Sequence, residues 1–382
     1  MNGLPALAHP KVLRNIQALR AVAALLVVCE HLGSRQSGIE AHYLPGRPVF
    51  ASFMTFGLFG VDIFFVISGF IIYTTTAAKR PGKETSLDFF LRRCIRIYPP
   101  YWLAFIPLLA VYLLAPQHFT QFHSVNANLW ASFFLLPQIG HPFLAVSWTL
   151  VFEMYFYLIF AILLLAPRRL MLPGLALWFA LQILCFVLFR DARGAIPEFF
   201  GNPIAVEFLF GAAVGRLYAR NRLPAPRLVL TLALCTCAAL WFVADRLGDP
   251  PGIERIFVWG IPAAGLVYGV VGIEAAQRST SPAWAVSLGD ASYALYLWHL
   301  PVLIFLSQIA AAAHVHGNVV HLGLVIVMLA AVIAFSLGAY RYLERPLTRY
   351  LTGLMRIRAH PPQLRSEIHK LPVIKRKSHE VS

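Results

Sequence analysis

The sequence predicts an all-α protein that crosses a membrane about ten times. Of its 382 residues 59% are hydrophobic and only 13% charged, against about 25% charged in soluble domains. Apolar runs recur at close to the roughly 20 residues a spanning helix needs, and the cations fall between those runs in alternate gaps. A net charge of +15 could indicate nucleic acid, but that reading needs a basic face on a soluble module. Here Lys and Arg cluster where apolar runs end, so the bilayer is the expected partner and nucleic acid is not.

The predicted spans cover 15–32, 54–76, 99–116, 144–166, 170–189, 203–219, 228–244, 256–274, 291–312 and 319–342. The first follows Lys11 and Arg14 as a signal peptide would. It contains Arg20, however, and runs into Glu30 and His31 without a small-residue cleavage site, so it reads as a retained helix. With a cytoplasmic N-terminus, the inner segments hold 25 of the 32 Lys and Arg and the outer loops six, with Arg20 inside a span. That bias predicts both termini in the cytoplasm, N-in and C-in.

Between the third and fourth spans, 116–143 has no Lys or Arg. Its apolar stretch 129–137 is too short to cross and suits an interfacial or re-entrant helix roofing the outer side. Residues 1–350 are expected to form the membrane domain. Residues 351–382 read as a basic, disordered cytoplasmic tail suited to anionic headgroups. The five cysteines lie in or beside apolar runs without metal-site spacing, and Cys235 and Cys237 fall on opposite sides of a helix. Neither a disulfide nor a metal is expected.

Arg20, Asp62 and Glu153 lie inside predicted spans. At roughly 3 kcal/mol for each central charge, their unpaired sum would rival the stability of a whole domain. They must face one another, water or a ligand, and either packing or function satisfies that need. His31 follows Arg20 by eleven residues, nearly three turns and about 16 Å along one helix, so both project from a similar face. A lone intramembrane His serves packing as readily as proton transfer, and the spacing leaves both readings open. Glu207 and Glu274, near span ends, receive no role. His314 and His316, in a short outer loop, do not by themselves make a metal site.

Six stretches follow one another along residues 15–350: Ile16-Gln17-Ala18-Leu19-Arg20-Ala21 through His31, GVDIFFVISGFII at 60–72, FLRRCIRIYPPYW at 90–102, SWTLVFEMYFY at 147–157, SYALYLWHLPV at 292–302 and YLERPLTR at 342–349. Together they resemble the membrane-bound acyltransferase-3 family, especially its ExoZ-like bacterial exopolysaccharide O-acetyltransferases. The resemblance implies transfer of acetyl from cytoplasmic acetyl-CoA, a donor substrate and not a permanently bound cofactor. The implied acceptor is a hydroxyl of a polysaccharide or lipid-linked glycan beyond the bacterial inner membrane. It also implies that Arg20 and His31 are the functional pair, with Glu153 matching the family motif, and that Arg92, Arg93 and Arg96 with Pro99 meet the CoA donor. Many members have Asp-Gly before Leu-Arg where this chain has Gln17-Ala18, so a carboxylate partner for Arg20 must come from elsewhere, Asp62 and Glu153 being the candidates. Thr149 and Met154 also depart from the family pattern.

A sugar hydroxyl is a poor nucleophile at neutral pH and needs a base that titrates nearby, which makes His31 the candidate base. The thioester carbonyl becomes an oxyanion that Arg20 or the Ser68 hydroxyl could receive. The CoA thiolate, with a pKa near the 8.5 or so of Cys, leaves with little protonation. Asp62, Ser68 and His299 are expected to line the pore or meet substrate, with interhelical packing as their other reading. Glu344 and Arg345 read as a local ion pair at a helix end stopped by Pro346. A carrier of a glycan or acyl compound is the rival function, though the chain has no inverted repeat. A structural subunit would leave the intramembrane charges without a job.

Overall fold

The computed structural model describes residues 13–43, 56–115, 127–247, 252–276, 280–312 and 318–359. Among them every regular element is helical. Ten helices account for the predicted spans: α1 (Arg14–Tyr43), α2 (Phe59–Thr76), α3 (Lys83–Leu114), α4 (Trp148–Leu165), α5 (Met171–Phe189), α6 (Glu207–Ala219), α7 (Pro226–Leu247), α8 (Ile261–Ala275), α9 (Ser292–Ala312) and α10 (Asn318–Ala339). His314, His316 and the tail from 360 onward lie outside the described residues.

Nine stretches among the described residues are long and apolar enough to cross a membrane. The tenth, α6, has 13 residues, but a four-residue 3-10 turn, Pro203–Val206, leads into it. At 1.5 Å per α residue and 2.0 Å per 3-10 residue the two rise about 28 Å, close to the roughly 30 Å hydrocarbon core. Contacts between helix ends show that α6 does cross. The Arg14 and Asn15 backbone N–H groups donate to the Glu274 carboxylate near the end of α8 at 2.8 and 2.7 Å. Asn15 in turn accepts from Ser281, just before α9. Gly82 before α3 donates to Leu164 near the end of α4, Arg168 before α5 donates to the Ala77 carbonyl after α2, and Tyr268 of α8 donates to Pro224 between α6 and α7. Tyr73 near the end of α2 lies against Gly215 near the end of α6. This alternation closes only if α6 counts as a crossing.

Because lipid tails are as apolar as leucine, helices in a bilayer associate by close packing of small residues. A Cβ on Gly69 of α2 would run into the Phe208 carbonyl, and one on Gly211 of α6 into the Val66 carbonyl, so the two backbones touch. Among the described residues Leu188 is 64% exposed and Phe242 84%, as lipid-facing side chains are.

Four boundaries differ from the sequence expectation, the first being the end of α1, which runs to Tyr43 and not to 32. Helix α3 begins at Lys83 and not near 99, running through Pro99, Pro100 and Pro107. The paired prolines withhold N–H groups from the Ile95 and Arg96 carbonyls, and beside this defect the Ile97 carbonyl accepts from Tyr293 Oη at 2.9 Å. The segment expected at 129–137 is helical only over Leu129–Phe133 and ends at Leu135, whose φ is 53°. It folds back on α3, where Tyr98, Tyr101 and Trp102 donate to the carbonyls of Phe134, Ser132 and Phe133, as backbone inside a membrane requires. Pro346 does not stop the last helix. A π turn, Tyr340–Glu344, follows α10 and leads into α11 (Arg345–Ala359), so Pro346 follows directly on the π turn, whose shifted bonding accommodates its missing N–H. Helix α11 therefore occupies the first nine residues assigned to a disordered tail.

The α2–α6 contact yields a test of the fold. Gly211→Ala should destabilise the protein by about 1–3 kcal/mol through overpacking, seen as a lower Tm in detergent. Gly323→Ala, where a Cβ meets nothing within 4 Å, should leave Tm unchanged.

Candidate active site

Five helices, α1, α2, α3, α4 and α9, enclose a narrow cleft with about 680 Å³ of empty space. Its polar lining includes Arg20, Ser68, Arg93, Arg96, Glu153 and Tyr157. Glu153 and Tyr157 stand one turn apart on α4, and the Tyr157 hydroxyl donates to the Glu153 carboxylate in a short hydrogen bond. Ser68 of α2 donates to the same carboxylate at 3.3 Å. From α3, the Arg93 guanidinium lies over the Tyr157 and Phe89 rings, 5.3 and 5.4 Å from their centroids, a cation–π arrangement favoured out of water. Arg96 is one turn further along α3 and within electrostatic reach of Glu153.

Arg20, 7% exposed, completes the group from α1. Its Nη1 donates to Gln17 Oε1 at 2.8 Å, so the position that departs from the family's Asp-Gly supplies a neutral partner. A helix at Ala283–Asp290 presses Gly289 against the Gln17 carbonyl and holds that turn of α1 in place. The charges that act on Arg20 are Arg96, Glu344, Glu153 and Asp290. Glu344, read from the sequence as a local partner of Arg345, instead belongs to the electrostatic surroundings of Arg20 and Arg96. The π turn carries it there. Three arginines line the cleft, against one carboxylate, so an anionic ligand suits it.

His31 does not line this cleft. It pairs with His299 of α9, the rings edge to face with centroids 4.9 Å apart. Its Nδ1 contacts the Val27 carbonyl at 3.0 Å and the neighbouring Glu30 carboxylate. Both are acceptors, an arrangement that favours the tautomer with its proton on Nδ1. His299 is fully buried and anchored through Nδ1 to the Leu295 carbonyl at 3.0 Å. Between the two levels stands Tyr296, which lines the cleft, lies 6.0 Å from the His299 ring and bonds Thr149 and the Val146 carbonyl at 2.6 Å each.

Three expectations need correction. Asp62 does not line the cleft or answer Arg20. It is fully buried and held by Arg255 through two hydrogen bonds, Nε to Oδ1 at 3.0 Å and Nη2 to Oδ2 at 2.9 Å. Arg255 precedes the span predicted at 256–274, where it read as an outer-loop cation. Arg92 is apart from Arg93 and Arg96, since it is turned 100° from Arg93 on α3 and bonds Asp88 one turn back, Nε to Oδ1 at 2.7 Å. His299 meets His31 and not the cleft. Tyr157, Tyr293 and Tyr296 received no role from the sequence, and Thr149 stood only as a departure from the family pattern. Tyr293, Tyr296 and His299 recur every three residues, a stripe down one face of α9 that the sequence could have disclosed.

The cleft and the imidazole pair are built from the helices that carry the six quoted stretches. The acyltransferase domain of the acyltransferase-3 type matches residues 13–341. The chain belongs to the acyltransferase-3 family. It is 35% identical over 303 residues to the exopolysaccharide production protein ExoZ of Rhizobium meliloti, covering 77% of this chain and 90% of ExoZ. It is 24% identical over 385 aligned positions to the peptidoglycan O-acetyltransferase OatA of Listeria monocytogenes, covering 89% of this chain and 56% of that protein. The O-acetyltransferase OatA of Staphylococcus aureus is similar at 24% over 383 positions, with 89% and 58% covered. The chain thus spans little more than half the length of either OatA. No solved structure matches it. As a member of this family the protein is a multi-pass membrane acyltransferase.

The Asp62–Arg255 pair predicts a rescue. Asp62→Ala strands a buried guanidinium and should cost about 3–5 kcal/mol, lowering membrane abundance and Tm. Asp62→Asn combined with Arg255→Gln should recover most of that loss, whereas Asp62→Asn should not rescue an unstable Arg20→Ala variant.

Proposed function

We propose that this acyltransferase is an O-acetyltransferase of the bacterial inner membrane, moving acetyl from cytoplasmic acetyl-CoA to a hydroxyl of an extracytoplasmic polysaccharide or lipid-linked glycan. The observation that carries this reading is the two-level site, with a cationic cleft at one level and an oriented imidazole at the other. The bias of Lys and Arg, 25 to six, supports cytoplasmic termini. On that orientation the cleft faces the cytoplasm and His31 lies toward the outer side. The name of ExoZ supports an exopolysaccharide acceptor, and the names of both OatA proteins support acetyl as the group moved.

The donor thioester enters the cleft past Arg93 and Arg96, whose planar guanidinium forks suit CoA phosphates, while Arg92 stays with Asp88 at the rim. His31 Nε2 takes the proton of the acceptor hydroxyl, whose oxygen attacks the thioester carbonyl. Glu30 and the Val27 carbonyl stabilise the imidazolium that forms, as the third member of a catalytic triad does. Arg20 and Ser68 lie a level away from His31, so they hold the donor within the cleft, and any group that meets the oxyanion must stand beside His31. The C–S bond then breaks, the ester forms, and CoA leaves as thiolate or with the proton returned by His31. Because Tyr296 divides the two levels, the thioester end must pass it or its ring must turn. Glu153 fixes Ser68 and Tyr157 and offsets the arginines.

Reconstituted protein supplied with labelled acetyl-CoA on its cytoplasmic face and a glycan on the other tests the reading. Label should appear on the glycan as ester, and glycan crossing unmodified would overturn it. His31→Ala and His31→Gln should each lower transfer at least about 100-fold, the lower end of what general base catalysis contributes, at normal abundance. Arg93→Lys with Arg96→Lys keeps the charge count and loses the forks, so it should raise the acetyl-CoA needed for half-maximal transfer.

A further inference from the structure

We infer that a basic pocket where the ends of α2, α4 and α6 meet the start of α5 is a phosphate-binding site separate from Arg93 and Arg96. The pocket and its open mouth hold about 1620 Å³ of empty space, and Lys79, Arg168, Arg169, Arg216 and Arg220 line it with no carboxylate among the described lining residues. These five cations come from three parts of the chain: the turn after α2, the junction before α5 and the end of α6. Setting topology requires positive charge in each segment. It does not require the charges to converge on one hollow.

Their roles within the pocket differ. Arg168 is committed to the backbone, donating to the carbonyls of Ala77 and Lys79 at 2.6 and 3.1 Å, which pins the turn. Lys79 lies 3.6 Å from Asp88. Arg169, Arg216 and Arg220 remain to meet a ligand. Met171 and Leu172, in the first turn of the 19-residue α5, also line the pocket, so the positive end of that helix adds to the attraction for an anion. Guanidinium forks match the oxygens of a phosphate ester bidentately.

The pocket is aligned with the cleft. Phe160 and Leu164 line it, and they follow Glu153 and Tyr157 on one face of α4 at helical spacing. From Glu153 to Leu164 the helix rises about 16 Å. A ligand with phosphates at one end and a reactive group on a flexible arm of that length would reach from one place to the other, its phosphates held in this pocket in place of Arg93 and Arg96. Acyl-CoA is such a ligand, and its use here rests on the donor reading above. An anionic lipid headgroup presents the same chemistry at the same membrane depth and is the other source.

The test uses the purified full chain in nanodiscs of neutral phosphatidylcholine, and in nanodiscs with added phosphatidylglycerol, comparing wild type with R169Q/R216Q/R220Q. Affinities for CoA and for pantetheine, which has no phosphate, are measured in the neutral discs. Phosphatidylglycerol retained through a neutral-detergent wash is measured by mass spectrometry after the mixed discs. Loss of at least about tenfold in CoA affinity, the worth of one charge-assisted hydrogen bond, with pantetheine binding unchanged, supports the pocket with CoA as its ligand. Loss of retained phosphatidylglycerol at unchanged CoA affinity supports it with a lipid headgroup. Wild-type levels of both overturn it. If the glutamine variant fails to insert, R169K/R216K/R220K, which keeps the cation count, is judged by the same readouts. Acetyl transfer is not read here, so CoA binding and lipid retention that the variant both leaves intact overturn the pocket and not the donor, whereas absent wild-type CoA binding with lost lipid retention overturns the donor and not the pocket.

Discussion

Charge inside a membrane must be answered by charge, dipole or ligand, and this constraint organises the bundle. Asp62 and Arg255 meet through two hydrogen bonds across α2 and the approach to α8, which locks together helices 193 residues apart in sequence. Such a pair contributes little net stability once both desolvation costs are counted, yet breaking it leaves an uncompensated charge. Its effect is to permit one register between α2 and its neighbours. Ser68, six residues on in α2, is thereby set at a fixed height beside Glu153.

The cleft answers its charges less completely. Arg20 has a neutral amide, Arg93 has aromatic faces, and Glu153 has two hydroxyls. Each arrangement tolerates a charged side chain without neutralising it, which leaves positive potential available to a ligand. The structural pair is closed and buried, and the cleft is open with Arg93, Arg96 and Glu153 half-buried, although both draw on the same residue types.

Backbone contact provides the second condition. Gly69 and Gly211 let α2 and α6 touch, and Gly289 brings the helix before α9 onto Gln17. These approaches set the angles at which α1, α2 and α9 carry their polar side chains. The prolines of α3 and the π turn before α11 shift the phase of their helices, and with it the direction of Arg93, Arg96 and Glu344. A cleft lined from five helices depends on all of these small displacements.

Much of the fold was legible because hydropathy is additive along the chain. Ten spans, including the short α6, and the absence of strands among the described residues follow from run lengths alone. Arg20 and Glu153 were legible as charges inside predicted spans, whereas Arg93 and Arg96 were named through the family resemblance and Ser68 as a candidate oxyanion donor; the five line one cleft. What the residue pattern could not supply was partnership. Asp62 and Arg20 looked equally available to each other, and only packing gave Asp62 to Arg255 and Gln17 to Arg20. His31 and Arg20 share a face of one helix, yet Tyr296 from a distant segment separates their levels. Sequence determines which groups must be satisfied, because desolvation cost belongs to each residue. Tertiary structure decides which groups satisfy them, because electrostatic and hydrogen-bond energies depend on distances that only the packed helices define.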